Sequence, residues 1–373
     1  MFLALKEIRR AKGRFLLLTS SIGLLVFLIL FQQTLQNGLI TSFIGAIRNQ
    51  SAPVLVYSVD GRKNLQGSVI PPDLAEQIGA VEGVGNAGQL GQGTFSVQAG
   101  GATDSIAIIG YDTEGLGSPT KLTDGRFPQA EGEAVALDSA AGDGFGTGDI
   151  VTVTPGGYEL TVVGHAAQIG LQATTTMFTT YPTFEAAVTS ANPDATGAPP
   201  AVITVQPADG FTAEEVVAAI NDQVPDAEAL TRADAEAQTP GVAQVQQSFL
   251  IIFLLYGLVV PLVTGLFFLI LTLQKAKSLT LLRALGVSGG RLVRSLTAQV
   301  LIVLAAGLAI GIGLYTPLSQ RELGSIPLTF QTGAVVFWSV LLMVLGVLSS
   351  LFAARRVLAI DPIEATTGSG VGT

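Results

Sequence analysis

Four long apolar stretches dominate the pattern of hydrophobic and polar positions along this chain. Each contains no charged side chain and is about as long as the roughly 20 residues that a helix needs to cross a bilayer core. Buried helices of soluble domains seldom stay free of charge over such a length. The pattern therefore predicts four membrane-spanning helices, at residues 15–35, 249–273, 296–318 and 333–353.

The first stretch differs from a cleaved signal peptide. Its apolar part is longer than the 7–15 residues or so that are usual in signal peptides, and no small-x-small cleavage signal follows it. We therefore interpret it as a permanent membrane span.

Between the first and second apolar stretches, short runs rich in β-branched residues alternate with segments of helical character. Such runs predict strands, here at residues 54–58, 105–111, 133–137, 150–154, 160–164 and 201–205. A proline pair favours a helix over residues 71–81, since proline suits a first helical turn. Thr212 and Glu215 predict a capping box before another helix at 216–224. An α+β domain is therefore expected here.

The distribution of charge orients these segments relative to the membrane. Lys and Arg outnumber acidic residues before the first stretch and between the second and third, and Arg355 and Arg356 directly follow the fourth. Short segments with such an excess lie on the cytoplasmic side. Residues 48–247 instead carry 6 Lys and Arg against 24 Asp and Glu. Both termini are therefore predicted to be cytoplasmic and the α+β domain extracytoplasmic.

The expected fold class is a membrane protein with four transmembrane α-helices and an α+β extracytoplasmic domain inserted between helices 1 and 2. Helical stalks are expected to connect that domain to the first two spans. The predicted segments are a cytoplasmic N-terminal segment (1–14), the first span and its stalk (15–48), the outer domain (49–230), a stalk with the second span (231–273), a cytoplasmic coupling segment (274–294), the third span (295–318), an outer loop (319–331), the fourth span (332–354) and a cytoplasmic tail (355–373).

Composition narrows the range of functions. The chain of 373 residues has a net charge of −9, which argues against nucleic acid as a partner. It contains no cysteine, so an ordinary core and not a disulfide framework must hold the outer domain. No Gly-x-x-x-x-Gly-Lys-(Ser/Thr) phosphate loop occurs in the sequence. We therefore expect a chain that is not an enzyme and binds no cofactor of its own.

Three local features have a structural interpretation. The only histidine, His165, follows a predicted strand and is interpreted as a loop residue, so no zinc site built from several histidines is possible. Residues 142–149 combine carboxylates and glycines but lack the EF-hand pattern, which favours a turn over a calcium site. The glycine-rich residues 88–93 are interpreted as a loop. No metal site is predicted.

The predicted coupling segment is basic and amphipathic. Leu279, Leu282 and Leu285 recur at helical spacing, while Lys275, Lys277 and Arg283 provide charge. A short helix of this kind can bury its apolar face in a groove of a partner protein. It can equally lie on the membrane surface with its basic residues at anionic headgroups.

Two separated motifs resemble the MacB/FtsX-like permeases, the type VII ABC transporters. Residues 282–286, Leu-Arg-Ala-Leu-Gly, match the family's cytoplasmic pattern Glu-Ile-x-x-Leu-(Arg/Lys)-Ala-(Leu/Ile)-Gly. Ser278 stands where an acidic residue is common in that pattern. Residues 353–365 resemble the family's closing Arg-x-x-x-Ile-Asp-Pro-x-Glu-Ala segment. The outer segments 122–128, 148–153 and 162–164 are also similar to the family's periplasmic core domain.

The resemblance implies a bacterial cell-membrane protein that forms a homodimer within the lipid bilayer and works with a cytoplasmic ABC ATPase. ATP and Mg²⁺ are then bound by that partner. The residues that would couple to the ATPase are Lys277, Ser278, Leu279, Leu282, Arg283, Ala284, Leu285 and Gly286. A second cytoplasmic contact would involve Asp361, Pro362 and Glu364.

The function implied is mechanical export of an amphipathic or hydrophobic compound through the stalks. Residues 4–14 and 35–39 resemble the HrtB/DevC-like branch, which includes haem exporters, so haem is the first candidate substrate. The alternative is an FtsX-like signalling permease that regulates an extracytoplasmic partner such as a cell-wall hydrolase.

Four polar residues near the outer ends of the first two spans are candidates for substrate contact. They are Gln32, Gln33, Gln36 and Tyr256. Buried amides without partners are costly in hydrocarbon, so these side chains either line a substrate site or mark the interface with water. Gly307 and Gly311 form a small-xxx-small pair that favours close helix packing in the third span.

Overall fold

The computed structural model describes residues 12–112, 114–195, 197–274, 289–319, 322–323 and 326–358. The chain divides into two compact units. The membrane unit comprises the residues up to 35, 247–321 and those from 328 onward, and the outer unit comprises 36–246 and 322–327. Residues 275–288 of the predicted coupling segment and the C-terminal contact lie outside the described residues, whereas residues 289–294 form the start of the helix Gly289–Leu318.

The helices of the described residues are α1 (Lys12–Arg48), α2 (Pro72–Gly79), α3 (Tyr181–Ala191), α4 (Ala213–Gln223), α5 (Arg232–Gln238), α6 (Val242–Gln274), α7 (Gly289–Leu318) and α8 (Thr332–Leu358). Four of them, α1, α6, α7 and α8, are long and apolar enough to cross a membrane. They correspond to the four predicted spans.

Small residues allow α1 and α7 to approach closely within the membrane unit. A Cβ atom at Gly311 would lie 2.6 Å from Val26 and 2.7 Å from the Gly23 carbonyl oxygen. Gly307 faces Ile22 in the same way. Ile22 and Val26 are buried in one apolar cluster with Leu304 of α7 and Leu342 of α8. Packing of small residues thus explains the glycine pair seen in the sequence.

The strands are β1 (Val54–Ser58), β2 (Val84–Ala99), β3 (Ala102–Tyr111), β4 (Asp124–Gly125), β5 (Glu133–Leu137), β6 (Ile150–Thr154), β7 (Glu159–Ala166), β8 (Thr176–Thr180), β9 (Val202–Pro207), β10 (Ala227–Thr231), β11 (Glu322–Leu323) and β12 (Ile326–Pro327). The first ten form one sheet in the order β10-β1-β9-β2-β3-β8-β5-β7-β4, with β6 paired to β2 and β7.

The pairing of β6 with both β2 and β7 closes a ring of six strands: β2, β3, β8, β5, β7 and β6. The interior is filled by apolar side chains such as Phe95, Ile108, Val153 and Met177, all buried. Helix α3 packs on this ring through Phe184. Closure removes most of the free strand edges in this half of the outer unit.

The other half of the outer unit is an open layer of β10, β1, β9 and the first half of β2, covered by α2 and α4. Val56, Ile78 and Ile220 are among the buried residues of this layer. The Thr212 hydroxyl accepts a hydrogen bond from Glu215 N, and the Glu215 carboxylate accepts one from Thr212 N. The predicted capping box therefore starts α4.

Two interpretations of local sequence features were wrong, and both features lie in the sheet. Residues 88–93 belong to β2 and not to a loop. Gly91 lies opposite Gly110 of β3, and the ring of Phe184 packs over both glycines. These positions are glycine because a side chain would overlap Phe184, and not because the chain turns there. His165 lies inside β7 and is buried, so it is not a loop residue. The turn at 142–149 is as expected, because the Asp149 carboxylate accepts a hydrogen bond from Gly146 N.

Candidate coupling site

The outward end of α1 is fixed to a loop of the outer unit by backbone hydrogen bonds. The helix is irregular at Ile44, where φ is −134° and ψ is 15°. The Ser42 and Phe43 carbonyl groups, which a regular helix would use internally, accept hydrogen bonds from Ala173 N at 2.8 Å and Gln172 N at 3.0 Å. The break in the helix thus provides the acceptors that hold the loop.

Small residues make this backbone contact possible. Ala46 N donates to Gly170 O at 3.1 Å, and the Asn49 side-chain amide donates to Gln168 O at 2.6 Å. A side chain on Gly45 would overlap the backbone of residue 168, and one on Gly170 would lie about 3.1 Å from Ser42 O. Loop 168–173 and the end of α1 are therefore expected to move together.

Arg48, the last residue of α1, links this helix to the segment that precedes α6. Its guanidinium group forms an ion pair with Glu236 of α5 and also donates to Asn37 Oδ1 at 3.2 Å and Thr41 Oγ1 at 3.0 Å. Arg48 and Glu236 are both only partly exposed. Charge-assisted hydrogen bonds of this kind are stronger and more directional than those between neutral groups.

Helix α5 is also anchored to the chain that follows α1. Arg232 N donates to Pro53 O, and the Arg232 guanidinium donates to Gln50 O, both at 2.8 Å. The buried Gln50 amide in turn bonds both the N–H and the C=O of Ala52. The second stalk, expected over 231–247, is not one helix. It is interrupted at 239–241 between α5 and α6, where Gly241 has φ +94°.

The end of α1 and the start of α6 are the two connections of the outer unit to the membrane helices. One buried cluster contains residues from both connections. Ile44 and Ile47 of α1 and Val242 of α6 are buried together with Tyr57, Ile109 and Phe178 from the strands. Burial raises the pKa of Tyr57, and it raises the pKa of Tyr111 in the same cluster to about 12. Both phenols are therefore neutral at physiological pH, and the cluster is an uncharged apolar core.

Tyr315 joins three parts of the membrane unit. Its hydroxyl group lies 2.6 Å from Thr34 Oγ1 of α1 and accepts a hydrogen bond from the backbone N–H of Gln331 at 3.2 Å. Tyr315 and Thr34 are both buried. A fully bonded polar group of this kind fixes the register of neighbouring membrane helices.

Residues 15–223, more than half of the chain, match the MacB-like periplasmic core domain. The chain belongs to this family. Two relatives align over 99% of both chains: a protein named as the hemin transport system permease HrtB of Staphylococcus haemolyticus, at 22% identity, and an uncharacterized ABC transporter permease of Mycobacterium tuberculosis, at 24%.

Two solved domains are also similar. The periplasmic region of MacB from Actinobacillus actinomycetemcomitans matches with a TM-score of 0.37 and 14% identity, covering 50% of this chain and 91% of that one. The extracellular domain of the ABC-type transporter YknZ from Gram-positive bacteria matches with a TM-score of 0.34 and 13% identity, covering 48% and 99%.

The residues that the family resemblance assigns to ATPase contact have no described structure. They lie in the cytoplasmic segment and in the tail, outside the described residues: Lys277, Ser278, Leu279, Leu282, Arg283, Ala284, Leu285, Gly286, Asp361, Pro362 and Glu364. Their role stays a prediction of the sequence.

The four residues considered for substrate contact are half-buried and have different surroundings. Gln33 Oε1 accepts a hydrogen bond of 3.4 Å from the Trp338 indole, and Tyr256 packs against the apolar cluster of the membrane unit. Gln32 also belongs to the membrane unit, whereas Gln36 belongs to the outer unit. Gln33 and Tyr256 thus contact other residues of the membrane unit.

The sequence alone does not predict the ion pair at the end of α1 or the contact between Tyr315 and Thr34. Arg48 and Glu236 are 188 residues apart, and neither belongs to a motif. Tyr315 and Thr34 are separated by 281 residues. A tyrosine near the outer end of an apolar stretch was the one usable signal, since tyrosine is common at membrane interfaces.

Proposed function

We propose that this chain is the permease subunit of an ABC transporter, and that it expels an amphipathic or hydrophobic compound from the outer side of the membrane. The family and the full-length similarity to ABC transporter permeases support this proposal. Two copies form a homodimer in the lipid bilayer, and a separate cytoplasmic ATPase binds ATP and Mg²⁺.

The observation that carries the proposal is the shared core of the two connections to the outer unit. Ile44 and Ile47 of α1 lie in one buried cluster with Val242 of α6. The Arg48–Glu236 ion pair and the backbone bonds to loop 168–173 add to this connection. A displacement of either helix is therefore passed to the outer unit as a movement of packed elements, since close-packed cores deform little.

The orientation of the chain follows from its charges. Segments 1–14 and 274–294 are basic, and Arg355 and Arg356 directly follow the last span. These two segments and the tail 355–373 lie in the cytoplasm, where the ATPase docks on the apolar face of Leu279, Leu282 and Leu285. The acidic domain lies outside. ATP-driven closure of two ATPase subunits moves this segment, and with it α6.

Haem is the first substrate to test, because HrtB is named as a hemin transport permease and aligns with nearly the whole chain. The chain has no cysteine and one histidine. His165 is buried, with Nε2 donating to Phe145 O at 2.8 Å and Nδ1 3.3 Å from Thr147 Oγ1. Haem iron would therefore be carried without a histidine or cysteine ligand from this chain.

The test is ATP hydrolysis by the full chain reconstituted in liposomes with its cognate ATPase, which is sought first in the neighbouring gene. Leu282→Glu places a charge on the apolar docking face and is expected to abolish hydrolysis that depends on the permease. Thr280→Glu adds the same charge off that face and serves as the matched control, with hydrolysis close to wild type.

Stimulation by haem that disappears in Leu282→Glu supports coupled haem export. Hydrolysis that depends on Leu282 but does not change with haem supports the permease function and contradicts haem as the substrate. Other amphipathic compounds would then be tested. Equal hydrolysis by wild type, Leu282→Glu and the ATPase alone would falsify the permease proposal.

A further inference from the structure

A pocket of about 400 Å³ opens between the two connections of the outer unit. Its walls include Phe43, Ile44 and Ile47 from the end of α1, and Val242 and Val245 from the start of α6. Pockets of roughly 300–1,000 Å³ with apolar walls are the usual sites for small organic ligands.

Two loops complete the pocket with apolar and amide groups. Leu65 and Leu171 add to the walls, whereas Asn64, Gln66 and Gln172 supply polar groups. Gln66 Nε2 donates to Gln172 Oε1 at 2.7 Å, and both side chains are exposed. The amide pair thus links the two loops and offers further donors and acceptors to a ligand.

The pocket has no charged side chain among its described lining residues. Two cations adjacent to it in sequence are already paired. Lys63 Nζ lies 3.0 Å from Glu228 Oε1 and donates to Gln238 Oε1 at 2.6 Å, and Arg48 pairs with Glu236. Arg62 is exposed and is not among the lining residues. An anionic ligand would therefore lose hydration inside the pocket without gaining a cation from its lining, which disfavours its binding.

Unusual backbone conformations are concentrated on the same two loops. Within the described part of the chain, the non-glycine residues with positive φ are Arg62, Lys63, Gln168, Gln172 and Ala173. All five lie in or beside the pocket loops 62–66 and 168–173. Such conformations are energetically costly for residues other than glycine, and they cluster at sites that clamp a ligand.

We propose, building on the permease function above, that this pocket binds the apolar chain of an uncharged amphiphile with a hydrogen-bonding head group such as an alcohol or amide. The chain lies between α1 and α6, and the head group meets Gln66 and Gln172. Because both connections form its walls, movement of α6 opens or closes the pocket. Haem, with two carboxylates, is a poor fit for this site.

Photolabelling tests this assignment without the ATPase. The full chain in nanodiscs is irradiated with a long-chain alcohol that carries a diazirine on its alkyl chain, and the adducts are located by mass spectrometry. Saturable adducts are expected in residues 40–47, 64–66 and 239–245. The carboxylic acid with the same chain should label these residues about tenfold less at equal concentration.

Two variants close the pocket and one controls for them. Val245→Trp fills the space from α6, and Gln66→Trp covers the mouth from an exposed position, so it does not disturb the core. Each should reduce adducts in the pocket by about tenfold. Gln246→Trp places the same ring at an exposed position one residue along α6, outside the lining residues, and should label like wild type.

Adducts spread over the membrane helices, or pocket adducts that both closing variants leave unchanged, overturn the assignment. Equal labelling by the acid and the alcohol overturns the preference for an uncharged ligand. Hydrolysis that still depends on Leu282 would in either case leave the permease function standing. If the pocket is labelled but the chain never stimulates an ATPase, the ligand site is supported and the permease function is contradicted.

Discussion

At the scale of single residues, the glycine pair beneath Phe184 is sensitive to one added methyl group. Gly91 and Gly110 face each other across β2 and β3, and a side chain on either would overlap Phe184. Gly91→Ala is expected to destabilise the protein by about 1–3 kcal/mol, the usual cost of overpacking a filled core. Thermal unfolding of the full chain in nanodiscs measures the change.

Gly142→Ala is the matched control for this substitution. No atom would lie within 4 Å of the added Cβ, and Gly142 does not have positive φ. A change within about 0.5 kcal/mol is expected. If Gly91→Ala behaves like Gly142→Ala, the ring of Phe184 does not need the space that the two glycines provide.

Glu133 makes the outer unit sensitive to acid. Its carboxylate accepts hydrogen bonds from Arg126 and from the backbone N–H groups of Gln129 and Ala130, which lower its pKa to about 2. A pKa below that of the unfolded chain means that ionised Glu133 stabilises the fold above pH 4.5 or so. This contribution is lost as the pH falls towards 2.

Glu133→Gln should therefore lower the melting temperature at pH 7, and the difference from wild type should shrink steadily as the pH falls below about 4.5. Melting curves of both proteins across that range measure it. A difference that stays constant from pH 7 to pH 3 would show that ionisation of Glu133 is not the source of its stabilisation.

At the scale of helices and strands, alternation of residue type predicts many elements well. The predicted strands at 54–58, 133–137 and 150–154 coincide with β1, β5 and β6. The strands that the sequence does not reveal have a weak pattern for physical reasons. β2 is rich in glycine, and at Gly91 the ring of Phe184 occupies the space that a side chain would need. β10 has the sequence Ala-Glu-Ala-Leu-Thr, whose residues mostly favour a helix.

The contacts at the end of α1 are less predictable than the strands. Composition locates the end of the apolar stretch, but the irregular backbone at Ile44 depends on the partners that loop 168–173 supplies. Likewise the pocket combines segments about 200 residues apart in the sequence. Tertiary contacts of this kind leave no periodic pattern in a single sequence.

The α1–α7 contact provides a test of helix packing within the membrane unit. Gly311→Leu would insert a large side chain against Val26 and the Gly23 backbone, so the two helices must separate. Loss of close packing is expected to cost about 1–3 kcal/mol and to shorten the half-life of the purified protein at elevated temperature.

Gly313→Leu is the matched control, because no atom would lie within 4 Å of its Cβ and the position is exposed on the same helix. Size-exclusion chromatography after heating compares the two variants. Equal survival of Gly311→Leu and Gly313→Leu would mean that close approach at Gly311 does not stabilise the membrane unit.

At the scale of the whole molecule, the proposed function depends on the orientation in the membrane, which the charge distribution predicts. With the acidic domain outside, the predicted coupling segment would lie at a cytoplasmic ATPase, whereas the inverted orientation would place it where no ATP is available. The chain has no cysteine, so single cysteines can be introduced without background. Thr103 is exposed in the outer unit, whereas Ser288 and Ser369 belong to the predicted cytoplasmic segments.

In intact cells of a Gram-positive host, a membrane-impermeant maleimide should label Thr103→Cys and leave Ser288→Cys and Ser369→Cys unlabelled until the membrane is opened. The expectation rests on the excess of Lys and Arg in segment 274–294 and on Arg355 and Arg356 beside the last span, since such positive charges resist transfer across the bilayer. Labelling of Ser288→Cys but not Ser369→Cys in intact cells would leave an odd number of spans between them and rule out four membrane helices. Labelling of both, with Thr103→Cys protected, would invert the protein and with it the side on which ATP must act.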